Sequence, residues 1–415
     1  MPGPSPAEPD HKWRSLALLA LAEIFALSLW FSATAVIPAL RRSFEIDGFT
    51  ASLYSSAVGA GFVVGTLLSA LLALADRLDP RRFFALAALV AAAANALILV
   101  VGPVSEATIG LRFVTGMCMA GLYPVGMKIA STWAKGDMGL LIGMLTGALT
   151  LGTGTPHLFN ALGGVDWRFT ILSSSALTLI SVALIGFVRL GPGYAALQKA
   201  PKGRAFRPEL AARAWTDKAL RLANFGYFGH MWELYAMWAW IGLFLHASFT
   251  AWSGDGEAAG PWAALGAFVV MVAGAAGCFG GGWIADRIGR TAFTSIMMTV
   301  SGLCTLAAGF LFGLSPIWIV LLGIVWGFTI VADSPQFSSS IIELSDPQTT
   351  GTAVTIQTCI GFSLTLVAIH LMPVFVETLG WRYAFAPFAI GPVLGVWAML
   401  RLRARPEAVR IAGGR

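Results

Sequence analysis

The chain has 415 residues, of which 57% are hydrophobic and only 12% charged, whereas soluble domains are about 45–50% apolar and about 25% charged. That balance excludes a soluble globular protein and leaves no room for a separate soluble domain between membrane crossings. The net charge of +6 does not signal nucleic acid, because the basic residues lie in short loops and tails beside apolar runs, where they set membrane orientation.

In chain order, the Pro-rich opening "MPGPSPAEPDHKWR" leads into an apolar run with Glu23 inside it and no small-residue cleavage site, which predicts an uncleaved first span. Apolar stretches bounded by charge, Gly or Pro then predict spans at roughly 14–40, 50–75, 83–102, 105–134, 138–163 and 167–189. Residues 190–216, rich in Pro, Gly and basic side chains, read as a surface linker. Six further spans follow at roughly 218–247, 261–285, 291–313, 316–343, 350–378 and 381–402. The runs are long and continuously apolar, so a β-barrel is excluded. The predicted organisation is a tail 1–13, a bundle 14–189, the linker 190–216, a bundle 217–402 and a tail 403–415.

With the N-terminus inside, one side of the membrane collects Lys12, Arg14, Arg77, Arg81, Arg82, Lys128, Lys135, Arg287, Arg290 and the basic linker. The other side collects only Arg41, Arg42, Arg168 and Arg382. This asymmetry predicts a multi-pass protein with both termini cytoplasmic. All four Cys fall inside apolar stretches without paired spacing, so neither disulfides nor a metal site are expected. No cofactor is implied.

The two halves match at nearly constant offset. Asp76-Arg77 corresponds to Asp286-Arg287, Gly116 to Gly327, Pro124 to Pro335, Gly139 to Gly351, and Trp167-Arg168 to Trp381-Arg382. Five matches in one order predict an internal duplication.

The segment "GGWIADRIGRTAF" carries Gly282, Asp286, Arg287, Gly289 and Arg290 in the spacing G-x-x-x-D-R-x-G-R. With it the chain resembles the major facilitator superfamily along essentially its whole length. The first-half copy "LALADRLDPRR" keeps Asp76 and Arg77 but has Leu72 at the leading Gly, and "RFVTG" around Arg112 resembles the family's span-4 Arg motif. The resemblance implies an all-α membrane protein of twelve transmembrane helices in two pseudo-symmetric six-helix bundles, located in a bacterial-type inner (plasma) membrane. It also implies that Asp286 faces the start of span 5 near Asp137–Gly139, and Asp76 the start of span 11 near Thr349–Gly351, as gating contacts. Read from the residues alone, the same loop also serves to fix topology.

Ionisable groups at membrane depth are costly and usually face protein or a wet cavity. Glu23, Arg112, His230, Glu233 and Asp333 are the candidates for a substrate and proton pathway, with Tyr227, Tyr235 and Gln336 beside them. The rise of a helix puts Glu23 and Arg112 at depths where they can meet, either as a static ion pair or with Arg112 serving a substrate anion. His230 and Glu233 are three residues apart, hence neighbours on one helical face. Pro124 and Pro335 remove helix hydrogen bonds at corresponding places and predict bends. His157 and His370 read as packing residues.

These features predict a secondary active transporter of a small organic solute working by alternating access, coupled to protons through Glu233 or Asp333. Its partners are that solute, protons and the lipid bilayer, with no nucleic acid and no obligate protein partner. An organic-anion carrier using Arg112 and His230 as counter-charges is the competing carrier reading. A non-transporting membrane interaction protein or a membrane-embedded enzyme is the competing class, and no cluster of catalytic side chains supports the enzyme.

Overall fold

In the computed structural model the described residues are 8–135, 137–163, 166–195, 213–345 and 350–412, and they form helices joined by short turns, with no strand among them. Inside a bilayer every backbone amide needs an internal partner, which the helices supply. Acidic residues start many of them: Asp47 accepts from the Thr50 amide at 2.7 Å, Asp217 from Ala219 and Leu220, and Asp255 from Glu257 and Ala258. Each satisfies orphan N–H groups at a helix N-terminus.

Among the described residues ten helices are long and apolar enough to cross a membrane, including Gly48–Leu71, Pro80–Val101, Glu106–Ser131, Met138–Gly163 and Trp167–Phe187. Lys218–Ser253, Gly256–Ile288, Arg290–Leu311, Pro316–Leu344 and Thr350–Tyr383 complete that set. The first and last predicted spans are not continuous helices. Residues 14–40 divide into the helix Glu8–Leu27, turns at 28–33, a 3₁₀ turn and the short helix Ile37–Ser43. The chain kinks at Gly380 (φ 70) before a 3₁₀ turn and the 14-residue helix Ile390–Arg403.

Two of the ten are themselves interrupted. Glu106–Met119 and Tyr123–Ser131 are separated at 120–122, just before Pro124. Pro316–Ala332 and Ser334–Leu344 are separated at Asp333, just before Pro335. A ring nitrogen that cannot donate explains why the ladder breaks at each place.

Helix pairing repeats along the chain. Before residue 188, helix 48–71 packs on 106–119, helix 8–27 on 138–163 and 167–187, and 80–101 on 167–187. After residue 217, helix 256–288 packs on 316–332, helix 218–253 on 350–383 and 390–403, and 290–311 on 390–403. The two sets meet mainly through 138–163 against 256–288 and 48–71 against 350–383. Close approach needs small residues: a side chain at Gly116 would run into the Val58 carbonyl, and one at Gly327 into the Val270 carbonyl.

Candidate functional site

Helix 218–253 runs through the middle of the second set and carries Tyr227, His230, Glu233 and Tyr235, all buried. His230 Nδ1 lies 3.0 Å from Asp333 Oδ1, and both side chains are 1% exposed. Asp333 reaches this position because the helix breaks there, with Ser334 and Pro335 starting the next segment and the Gln336 amide donating to the Asp333 carbonyl at 2.9 Å. Neither carboxylate oxygen of Asp333, nor His230 Nε2, has a hydrogen bond of good geometry. The pair is close in distance and free of further donors. Tyr227 and Phe337 cover the imidazole, with ring centroids 6.1 and 5.3 Å away.

Glu233 turns away from this pair despite its three-residue spacing from His230. Its carboxylate accepts from Ser301 Oγ at 2.9 Å, from Trp326 Nε1 at 2.8 Å and from Thr305 Oγ1. Three donors from helices 290–311 and 316–332 therefore saturate it within the second set. Ser301, Thr305 and Trp326 carry no ionisable group, and only the depth of Glu233 signalled that such donors had to exist.

Arg112, also fully buried, makes the opposite kind of node. Nε donates to the Tyr54 carbonyl at 3.2 Å, Nη1 to the Leu29 carbonyl at 2.9 Å, Ser32 Oγ at 3.0 Å and Asn95 Oδ1 at 3.3 Å, and Nη2 to the Trp30 carbonyl. The turns at 28–33 expose the Leu29 and Trp30 carbonyls, and the guanidinium takes the place of the missing ladder there. Asn95 extends the node to Ser175 Oγ at 2.9 Å and the Ile171 carbonyl at 3.2 Å. Asn95, a lone amide in an otherwise apolar run, was the available signal for this partner.

Glu23 and Arg112 consequently form no ion pair, contrary to the arrangement that helix rise allowed. Glu23 is 0% exposed, and neither of its carboxylate oxygens has a hydrogen-bond partner. Its Oε1 occupies the space that a side chain at Gly126 would need. Tyr123, which starts the second segment of the broken helix, bonds Thr146 Oγ1 at 3.0 Å rather than Glu23.

Aromatic rings from both sets meet at the interface between them. Trp30 lies 5.9 Å from Tyr235 and 5.8 Å from Phe362, Phe62 lies 4.5 Å from Phe362, and Phe31 lies 6.2 Å from Trp238. Further along the same two chain segments, beyond Trp30 and Trp238, a cavity of about 560 Å³ opens among Arg41, His246, Asp255, Glu257 and Trp381.

The charged loop gathers at the other end. Gly289 (φ 91) is the single residue between helices 256–288 and 290–311, a backbone state that glycine adopts without strain. Arg290 grips Glu343 with Nε–Oε2 at 3.0 Å and Nη2–Oε1 at 2.8 Å, donates to Gln336 Oε1 at 2.6 Å and lies 3.3 Å from Asp286. Gln336 therefore serves the loop network and does not face the His230–Asp333 pair through its amide oxygen. Glu343 was missed because a charge at a span end reads as interfacial, although it lies seven residues, two helical turns, beyond Gln336.

Asp286 Oδ2 lies 3.7 Å from the position a side chain at Gly139 would take, and a side chain at Gly282 would come equally close to the Gly139 carbonyl. Asp137 accepts from Lys12 Nζ at 2.5 Å and the Lys135 amide at 2.9 Å. These two donors, Lys12 first, hold its carboxyl below the usual range. Arg287 stacks on Trp283 at 3.2 Å. Arg77 closes the short helix Leu74–Arg77. The Asp76 side chain and residues 346–349 lie outside the described residues, and so does the contact expected between them. The same holds for most of the linker. No group of three or more metal-ligating side chains occurs among the described residues.

Among solved structures, the nucleoside transporter NupG superposes with a TM-score of 0.70 at 16% identity, covering 94% of this chain and 99% of that one. A point mutant of that transporter, with one aspartate replaced by alanine, gives 0.71 with the same identity and coverage. Among curated proteins no sequence matches this chain. A family model described as Major Facilitator Superfamily matches residues 19–369. The length of that match, together with the apolar helices, makes this multi-pass membrane protein a transporter of the Major Facilitator Superfamily.

Proposed function

We propose that the protein is a proton-coupled secondary transporter that moves a small organic solute across a bacterial-type plasma membrane by alternating access. Twelve spans, including the broken first and last ones, form two six-helix halves (14–189 and 217–402) joined by the cytoplasmic linker 190–216. The repeated helix pairing and the two interfaces, 48–71 with 350–383 and 138–163 with 256–288, support this division. Both tails lie with the linker in the cytoplasm.

The observation that carries the proton coupling is the buried His230–Asp333 contact at a helix break, with no competing donor on the carboxylate. A carboxylate in such surroundings can gain and lose a proton as the site faces one side and then the other. Glu233, held by three donors, has the role of a structural anchor in this reading. The breaks at 120–122 and 333 are the hinges. Asp286 beside the N-terminus of helix 138–163 is the gating contact, because a carboxylate is favoured where a helix presents unpaired N–H groups; Asp76 is assigned the equivalent role in the first half. The anion-carrier alternative, which relies on Arg112 and His230, is weakened because five acceptors already enclose Arg112 and His230 lies beside the Asp333 carboxylate.

The test uses proteoliposomes containing a pH-sensitive dye, with uridine, tryptamine and indole-3-acetate as neutral, cationic and anionic solutes. Uridine is included because NupG, a nucleoside transporter, shares the fold. The wild type is expected to move protons with one of these solutes and to show counterflow. Asp333→Asn is expected to lose gradient-driven flux at least about tenfold, equivalent to about 1.4 kcal/mol, without losing stability. Gradient-driven flux that survives Asp333→Asn refutes the assignment of this pair.

A further inference from the structure

We infer that the solute is a flat, ring-bearing organic cation whose ammonium group is taken by Glu23 while its ring enters the layer formed by Trp30, Tyr235 and Phe362. The inference rests on the transporter reading and names the substrate class of that same central region.

The first step is a charge inventory. Arg112 is enclosed by five acceptors, Glu233 by three donors, and Asp333 has His230 at 3.0 Å. Arg290 is held by Glu343 and Gln336 at the loop end. Glu23 and Asp333 are both buried without a hydrogen bond on either carboxylate oxygen, but Asp333 has the His230 imidazole beside it, whereas Glu23 has no ion-pair partner among the described residues. An ionised carboxylate left in that state carries a large desolvation cost, which a proton removes and which an arriving cation that donates hydrogen bonds removes in its place. An anion would deepen it.

The second step is position. Glu23 lies seven residues before Trp30, near the end of helix 8–27 and just before the break, within about 10 Å if the rise per residue stays close to helical. That span is broken at 28–33, so Trp30 is presented on a turn, while Tyr235 and Phe362 come from helices 218–253 and 350–383. Trp30 belongs to one half and Tyr235 and Phe362 to the other, with centroids under 6 Å apart. A planar ring inserted there separates the halves and stacks on both, and the ring faces also favour positive charge. A ligand matching both features spans an acid and an aromatic slot about 10 Å away, the length of a fused ring with a short amine arm.

The test is a thermal-shift series on purified full-length protein with tryptamine and phenethylamine, each against a neutral or carboxylate analogue such as tryptophol and indole-3-acetate. Binding to the folded state raises the apparent midpoint by mass action. The amines are expected to raise the midpoint and their analogues to leave it unchanged. Glu23→Gln is expected to abolish the amine shift while leaving the ligand-free midpoint equal or higher. Glu23→Asp keeps the charge one methylene back and is expected to retain the preference with at least threefold weaker affinity, which serves if the Gln variant does not fold. Equal shifts with amine and carboxylate, no shift with any amine, or an undiminished shift in Glu23→Gln overturns the inference. So does loss of pH-driven flux in Glu23→Gln without any amine preference, which makes Glu23 a proton site instead. Amine binding without counterflow leaves the site standing and removes the transporter reading; counterflow of uridine alone does the reverse.

Discussion

Arg112 and Asp333 are both buried charges beside a break in a membrane helix, yet their surroundings are opposite. At the first break, the turns at 28–33 expose carbonyls, and a guanidinium with five N–H groups consumes them. At the second, the helix resumes at Ser334, followed by Pro335, and leaves a carboxylate with one imidazole 3.0 Å away. A saturated charge is held in one place by many partners and acts as architecture. An unsaturated one has spare capacity for a proton or a ligand. By that criterion Glu233 belongs with Arg112, and Glu23 with Asp333, although all four look alike in sequence.

The largest effect is expected where saturation is greatest. Arg112→Met removes the donor to three backbone carbonyls, Ser32 and Asn95 at once, and stranding buried polar groups on this scale costs about 3–5 kcal/mol. Thermal unfolding in detergent should show a sharply lowered midpoint or no folded fraction. A variant as stable as the wild type would break the comparison, because it would mean that the 28–33 carbonyls find other partners.

Glu233→Gln sharpens the same contrast with a smaller effect. The amide accepts at one atom only, so at least one of the bonds from Ser301, Thr305 and Trp326 is lost, and hydrogen bonds to a charged acceptor are worth about 1.5–3 kcal/mol. Stability is expected to fall by about 2 kcal/mol, while the pH profile of transport stays in place. Asp333→Asn should do the reverse. A displaced pH profile in Glu233→Gln would move the proton role from Asp333 to Glu233.

The helical membrane class, the ten long apolar helices and the loop signature were legible because they rest on long apolar runs and fixed spacing. The saturation pattern was not. Glu23 and Arg112 suit each other by depth, but the chain alone gives no sign that 28–33 leaves the helix, and those turns are what capture Arg112. Likewise His230 and Glu233 share a face by spacing, yet Ser301, Thr305 and Trp326 come from two other helices and draw Glu233 away. Gln336 suits a pathway by its place after Asp333, until Arg290, 46 positions earlier, is seen to hold it. In each case the deciding partner is distant in the chain and uncharged or at a span end, where periodicity carries no information.

The smallest effect is expected at the loop end, from Lys12→Met. Lys12 and Asp137 are partly solvent-exposed, and such pairs are worth about 0.2–1 kcal/mol. The Asp137 carboxyl is held below its usual range, first by the Lys12 hydrogen bond and then by the Lys135 amide. A depressed folded value contributes stability that is present above the unfolded value, about 3.9, and is lost as pH falls through the lower folded value. The midpoint difference between wild type and Lys12→Met should therefore be constant from pH 7 to about pH 5 and vanish under stronger acid. A difference that survives full protonation of Asp137 would show that Lys12 acts by packing its stem. The boundary between saturated interior charges and ordinary surface pairs would then lie further inside the protein than Asp137.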